Sequence, residues 1–130
     1  MSETVNPADC SCDAAPTLIF PCSGSADVGA IADQSARRLT REGAGKMFCL
    51  AGIGGRVSGI MATTRAADRI LAIDGCPQEC ASHCLEQAGF SGFLHLRLSD
   101  LGLGKGTSPV SDACLDKVAG EARRLLLRAA

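Results

Sequence analysis

The chain has 130 residues, the size of one domain, and 46% of them are hydrophobic, so a buried core can form without disulfides. Its formal net charge of −1 argues against the clustered basic face that nucleic-acid binding requires. Trp and Tyr are absent and only four residues are Phe, so no aromatic platform for stacked bases is expected.

The first 16 residues differ in composition from the rest of the chain. They are mostly polar or small, include Pro7 and Pro16, and predict a flexible tail that contains Cys10 and Cys12. Residues 17–130 are predicted to form a single α/β domain. The start of the chain lacks the basic and apolar segments of a signal peptide, and no apolar run approaches the roughly twenty residues of a membrane span. We therefore expect a cytoplasmic protein that does not associate with a membrane.

Eight cysteines are an unusual number for a chain of this length. In the reducing cytosol, groups of cysteines serve metal binding or thiol chemistry more often than they form disulfides. The cysteines are therefore the residues from which a function is expected.

Apolar runs and helical periodicity divide residues 17–130 into alternating strands and helices. The predicted strands are short and apolar, and they cover residues 17–20, 46–50, 69–73 and 93–98. The predicted helices have one apolar face, and they cover residues 25–41, 58–67, 76–88 and a last segment after Ser111. Ser25 and Ser111 are the predicted N-caps, and Pro77 is the predicted first residue inside the third helix.

This alternation predicts a parallel sheet with helices on both faces. The simplest arrangement is a small Rossmann- or flavodoxin-like three-layer sandwich whose four parallel strands have the order 2-1-3-4. Gly52 and Gly54, in a predicted turn after the second strand, match only the start of a dinucleotide-binding fingerprint, since Val57 stands at the third glycine position. Dinucleotide binding is therefore not expected.

Three cysteines come at the carboxyl ends of predicted strands. Cys22 follows the first strand, Cys49 lies near the end of the second, and Cys76 follows the third. Neighbouring strands lie about 4.8 Å apart, and ligands of such sheets bind beyond the carboxyl ends of the strands. The three thiols are therefore expected to converge at one edge of the sheet.

The fourth sulfur can be chosen by the reach of a helix. Thiolates bind zinc at about 2.3 Å, so ligating sulfurs lie within about 4 Å of one another. On one helix, Cys76 and Cys80 differ by about 6 Å along the axis, whereas Cys76 and Cys84 differ by about 12 Å. The predicted metal ligands are therefore Cys22, Cys49, Cys76 and Cys80. His83 is expected to be solvated and His95 to be structural.

Three segments of the chain resemble the DGC domain family, which takes its name from the Asp-Gly-Cys at positions 74–76. These segments are FPCSG at 20–24, FCLAGIGG at 48–55 and IDGCPQECA at 73–81. The resemblance covers about residues 17–105 and implies zinc binding through the same four cysteines. It supplies no established reaction, and Cys10, Cys12 and Cys84 lie outside its four-cysteine pattern.

The expected function is that of a cytosolic zinc-binding protein for metal storage, transfer or sensing. This pattern favours a binding protein over an enzyme, with a metal ion as the partner and no protein partner indicated. One alternative is a thiol redox or sulfur-transfer enzyme that uses Cys76 and Cys80, with Cys76 activated at a helix N-terminus. Another is an iron–sulfur protein that uses the same four cysteines.

Overall fold

A computed structural model describes residues 16–129. The predicted tail with Cys10 and Cys12 lies outside the described residues, except for Pro16. The strands are β1 (Thr17–Pro21), β2 (Lys46–Met47), β3 (Arg69–Asp74) and β4 (Leu94–Arg97). The helices are α1 (Asp27–Arg41), α2 (Leu50–Gly54), α3 (Ser58–Arg65), α4 (Cys80–Gln87) and α5 (Asp112–Arg128), and a 3-10 turn covers Leu98–Leu101.

The four strands form one sheet in the order β2-β1-β3-β4, and every neighbouring pair is parallel. In register, Phe20 of β1 lies opposite Ala72 of β3, and Ile73 lies opposite Leu96 of β4. The predicted α/β class, the parallel sheet and its 2-1-3-4 order are confirmed. Among residues 16–129, no helix combines the length and the apolar character that crossing a membrane would take.

Both faces of the sheet are buried by packed helices. Successive side chains of a strand point to opposite faces, so each strand contributes residues to both sides. On one face, Ile19 and Leu71 pack with residues of α1 and α5 such as Ile31 and Val118. The residues that pack on the other face come from β1, β3 and three helices, and they are Leu18, Phe20, Ala72, Ile53, Met61, Ala81 and Leu85. This double burial explains why the strands read as continuous apolar runs.

The helix that follows β3 begins at Cys80, so the prediction that it begins near Pro77 is wrong. Glu79 has φ 57° and ψ 48°, a left-handed conformation that cannot belong to a right-handed helix. Residues 75–79 therefore form a turn, and Cys76 lies in this turn instead of on the helix. Cys84 was excluded as a ligand because of its distance from Cys76 along a common helix axis. That exclusion does not apply, because the two residues do not share a helix.

Three further predictions about local structure are corrected. β2 ends at Met47, and Cys49 is the N-cap of α2, so Gly52 and Gly54 lie in a short helix instead of a turn. Gly52 is needed there because a Cβ would come 2.7 Å from a side-chain carbon of Ile60.

The N-cap of α1 is Ala26 instead of the predicted Ser25. Ser111 caps α5 as predicted, and its side chain accepts a hydrogen bond from the N–H of Cys114.

Candidate metal centre

Cys22 lies at the junction of β1 and the turn after β3. Its backbone N–H donates a 3.0 Å hydrogen bond to the carbonyl of Ile73, which extends the β1–β3 pairing by one residue. Its Sγ in turn accepts a 3.3 Å hydrogen bond from the N–H of Gly75. The sulfur of Cys22 therefore lies directly against the Asp-Gly-Cys turn.

Cys49 is placed by the abrupt change from strand to helix after β2. The N–H of Phe48 donates a 2.9 Å hydrogen bond to the carbonyl of Ile19, and the next residue, Cys49, is already the N-cap of α2. The side chain of Cys49 is exposed. It lies at the same sheet edge as Cys22, at the carboxyl end of the neighbouring strand.

Cys76 lies near the start of the turn formed by residues 75–79, and Cys80 follows this turn as the first residue of α4. The turn is closed by a 3.2 Å hydrogen bond from the N–H of Glu79 to the carbonyl of Cys76. The carboxylate of Glu79 accepts a 3.1 Å hydrogen bond from Arg97 at the end of β4, which holds the left-handed residue in place. Cys76 is half-buried and Cys80 is exposed.

Two adjoining cavities contain these thiols. The larger, which we call the thiol groove, has a volume of 580 Å³, and its cysteines are Cys22, Cys49, Cys80 and Cys84. The smaller, which we call the turn cavity, has a volume of 220 Å³, and its cysteines are Cys22, Cys76 and Cys80. Cys22 and Cys80 line both cavities, whereas Cys49 and Cys76 lie on different ones.

The donor chemistry of this edge fits a thiophilic metal ion. All six cysteines of residues 16–129 are free thiols, and the four predicted ligands line the two adjoining cavities. As arranged, no three His, Cys, Asp or Glu side chains within the described part of the chain are close enough to hold one ion together. A metal ion here would have to draw the sulfurs inward by side-chain rotation.

Cys84 also lies in the thiol groove, and sequence reasoning missed it. Its Sγ lies 3.8 Å from the carbonyl oxygen of Leu50 and 3.4 Å from the position that a Cβ on Gly54 would occupy, so it packs against α2. Burial, reinforced by the neighbouring Cys80, raises the pKa of the Cys84 thiol, although the positive charge of Arg56 acts in the opposite direction. Cys84 follows Cys80 by four residues. This spacing could have placed both thiols on one face of α4 if the start of the helix had been known.

A buried carboxylate fixes the helix that carries Cys80 and Cys84. Asp74, at the end of β3, is 1% exposed and accepts hydrogen bonds of 2.7 Å and 3.1 Å from the N–H groups of Ala81 and Ser82. These N–H groups belong to the first turn of α4, so Asp74 caps the helix from outside it. His95 lies 2.7 Å from the same carboxylate, in agreement with its predicted structural role, while His83 is exposed.

The part of the thiol groove that α1 lines carries charge. Asp33 and Arg37 of α1 line the groove and are joined by a 2.7 Å hydrogen bond, and Ser23 donates a 2.8 Å hydrogen bond to Asp33. Burial acts to raise the pKa of Asp33, but its hydrogen bonds to Arg37 and Ser23 outweigh burial and lower it. The groove is therefore lined by thiols and apolar side chains, with an ion pair contributed by α1.

Comparison with known proteins agrees with the resemblance found in the sequence. The chain is 41% identical over 88 residues to the anaerobic and virulence modulator AnvM of Pseudomonas aeruginosa, an alignment that covers 68% of this chain and 67% of AnvM. No solved structure matches the chain at a comparable level of significance. The sequence profile of the DGC domain matches residues 18–122, and this chain therefore belongs to the DGC domain family.

Proposed function

We propose that this protein binds zinc through the thiolates of Cys22, Cys49, Cys76 and Cys80. The observation that supports the proposal most directly is that Cys22 and Cys80 line both cavities, with Cys49 on one and Cys76 on the other. The four sulfur donors lie at one edge of the sheet and come from three separate strand ends. Such a set of donors is suited to a tetrahedral zinc site. The resemblance to the DGC family, to which the chain belongs, implies the same four positions.

The proposed role of the metal is cargo or signal instead of a support for folding. A closed shell of four thiolates leaves no open position for a substrate, which is typical of non-catalytic zinc. The sheet is nevertheless buried on both faces by clusters of apolar side chains, and the thiols of Cys22, Cys76 and Cys84 pack against these clusters without forming their buried centre, so the fold has a core of its own. Metal that is not needed for folding can be bound and released.

A regulatory role in the cytosol fits this proposal. The relative from Pseudomonas aeruginosa is named an anaerobic and virulence modulator, and a thiol-lined metal site is sensitive to both metal supply and oxidants. Thiols must be reduced and deprotonated to bind metal, so we place the protein in a reducing compartment.

The alternative of a thiol redox enzyme has less support from the structure than from the sequence. It relied on Cys76 at a helix N-terminus, but Cys76 lies in the turn, and the helix begins at Cys80. The N–H groups of the first turn of α4 are, moreover, directed at the carboxylate of Asp74. An iron–sulfur cluster on the same thiols remains the second candidate ligand. Its visible absorption would distinguish it from zinc.

The test is metal analysis of protein purified without a metal-affinity resin, together with an absorption spectrum of the same sample. We expect about one zinc per chain, no visible absorption, and loss of the zinc in a Cys22→Ser/Cys80→Ser variant. Cys114→Ser is the matched control, because Cys114 lies on α5 and is not among the residues that line the thiol groove or the turn cavity. Zinc content in the wild type equal to that of the double variant would refute the proposal.

A further inference from the structure

We propose that Cys84 is a fifth metal-binding thiol, which exchanges with Cys76 as the fourth donor to an ion held by Cys22, Cys49 and Cys80. This inference rests on the proposed function, since it concerns the same site. It adds a residue that lies outside the four-cysteine pattern of the family.

The thiol groove already contains four cysteines, and the proposed ligand Cys76 is not among them. Its sulfur-bearing side chains are those of Cys22, Cys49, Cys80 and Cys84. Cys80 and Cys84 are one helical turn apart on α4, the spacing at which two side chains lie on the same face with Cβ atoms about 5–6 Å apart. Two sulfurs on such side chains can approach to the roughly 4 Å that a common metal ion requires.

The contacts of Cys84 place its sulfur against α2. Its Sγ packs against Leu50 and Gly54, which line the groove and belong to the short helix capped by Cys49. The pKa of Cys84 is raised chiefly by burial, as expected for a thiol that faces this apolar groove. A bound metal ion would displace its proton, because thiols coordinate as thiolates.

Cys76 supplies the corresponding donor on the other side. The turn cavity contains Cys76 together with Cys22 and Cys80, the two cysteines that it shares with the groove. The sets with Cys76 and with Cys84 therefore differ by a single sulfur. In the exchange, the metal–sulfur bond to Cys76 breaks as the bond to Cys84 forms, and the proton released by Cys84 is taken up by Cys76. Charge, protons and sulfur count stay balanced.

The experiment is titration of the metal-free, reduced protein with Co²⁺ in the absence of oxygen, followed by the intensity of the sulfur-to-cobalt charge-transfer absorption. Four variants are compared with the wild type: Cys76→Ser, Cys84→Ser, Cys76→Ser/Cys84→Ser and Cys76→Ser/Cys114→Ser. We expect both single variants and the Cys114 control to keep the full intensity, because one donor of the exchanging pair remains. The Cys76→Ser/Cys84→Ser variant should lose about one quarter, since three of four thiolates remain.

A fall of about one quarter in Cys76→Ser alone would overturn the inference, because it would mean that Cys84 does not replace the missing sulfur. Absence of any charge-transfer band in the wild type would instead refute the proposed function. If the Cys76→Ser/Cys84→Ser variant fails to fold, the inference is tested by alkylating the thiols of the Cys76→Ser variant with and without zinc. Zinc should then protect Cys84 from iodoacetamide while leaving Cys114 unchanged, and equal labelling of Cys84 with and without zinc would contradict the inference.

Discussion

Nε2 of His95 lies 2.7 Å from the carboxylate of Asp74, which is 1% exposed at the end of β3. The same carboxylate accepts hydrogen bonds from the N–H groups of Ala81 and Ser82, so three polar groups surround it. This pairing joins β4, β3 and the first turn of α4 at the edge where the cysteines lie.

Replacing Asp74 should destabilise the fold. In Asp74→Ala, the N–H groups of Ala81 and Ser82 lose a buried acceptor, and we expect the free energy of unfolding to fall by about 3 kcal/mol. Urea denaturation of the metal-free protein measures this change. Asp68→Ala is the control, since Asp68 is exposed and its carboxylate lies 3.9 Å from Arg69, and it should change stability by less than about 0.5 kcal/mol. Equal stabilities of the two variants would contradict the capping role.

Gly75 allows the Asp-Gly-Cys turn to pack against the backbone of α1. A Cβ at this position would come 2.7 Å from both the carbonyl carbon and the carbonyl oxygen of Val28. Gly75→Ala should therefore push the turn away from α1 and lower the free energy of unfolding by about 2 kcal/mol. Thermal or urea unfolding would detect the loss.

Gly120 provides the matched control for Gly75. It lies inside α5, and no atom lies within 4 Å of the position that its Cβ would take. Gly120→Ala should stabilise the protein by about 1 kcal/mol, because alanine favours a helix interior. If both alanine variants shifted stability in the same direction, the close approach at Gly75 would not be the cause.

Arg56 connects the C-terminal ends of α2 and α4. Its guanidinium donates hydrogen bonds of 2.7 Å to the carbonyl of Ile53 in α2 and 2.9 Å to the carbonyl of Gln87 in α4. Arg56→Ala should lower the free energy of unfolding by about 1–2 kcal/mol, since a cation that donates to carbonyls at the C-terminal ends of two helices is lost. Arg65→Ala, an exposed residue at the end of α3, should remain within about 0.5 kcal/mol of the wild type. A loss in Arg65→Ala as large as that in Arg56→Ala would contradict this role.

Asp27 should make stability depend on pH in the acidic range. Backbone hydrogen bonds from Gly106 and then Ser108 are the main causes that lower its pKa from 3.8, outweighing the opposing effect of burial. A carboxyl whose pKa is lower in the folded state stabilises the fold fully above the unfolded-state pKa and loses this contribution as pH falls through the folded-state pKa.

The wild type should therefore lose stability more steeply than Asp27→Asn as the pH falls from about 5 to about 2. Urea unfolding at several pH values across this window measures the difference. At neutral pH the wild type should be the more stable of the two, because asparagine cannot reproduce the charged acceptor of Gly106 and Ser108. Parallel pH profiles for the two proteins would contradict the assignment.

The sequence by itself determined the sheet and the edge at which the cysteines lie. β1 and β3 are buried on both faces, so their apolar runs are continuous and identify them without long-range information. The alternation of such runs with amphipathic helices implies parallel strands, and parallel strands end at one edge. The placement of Cys22 and Cys49 at that edge follows from their positions in the chain.

Only the tertiary structure decided where α4 begins and which thiols share a cavity. The helix starts at Cys80 because Glu79 is held in a left-handed conformation by Arg97, and because Asp74 caps the helix from β3. These partners are separated by 18 and 7 residues along the chain, so no local pattern encodes them. A proline at position 77 was the stronger local signal, and it predicted the wrong start. The shift removes the distance argument against Cys84, whose place in the thiol groove depends on the packing of α4 against α2.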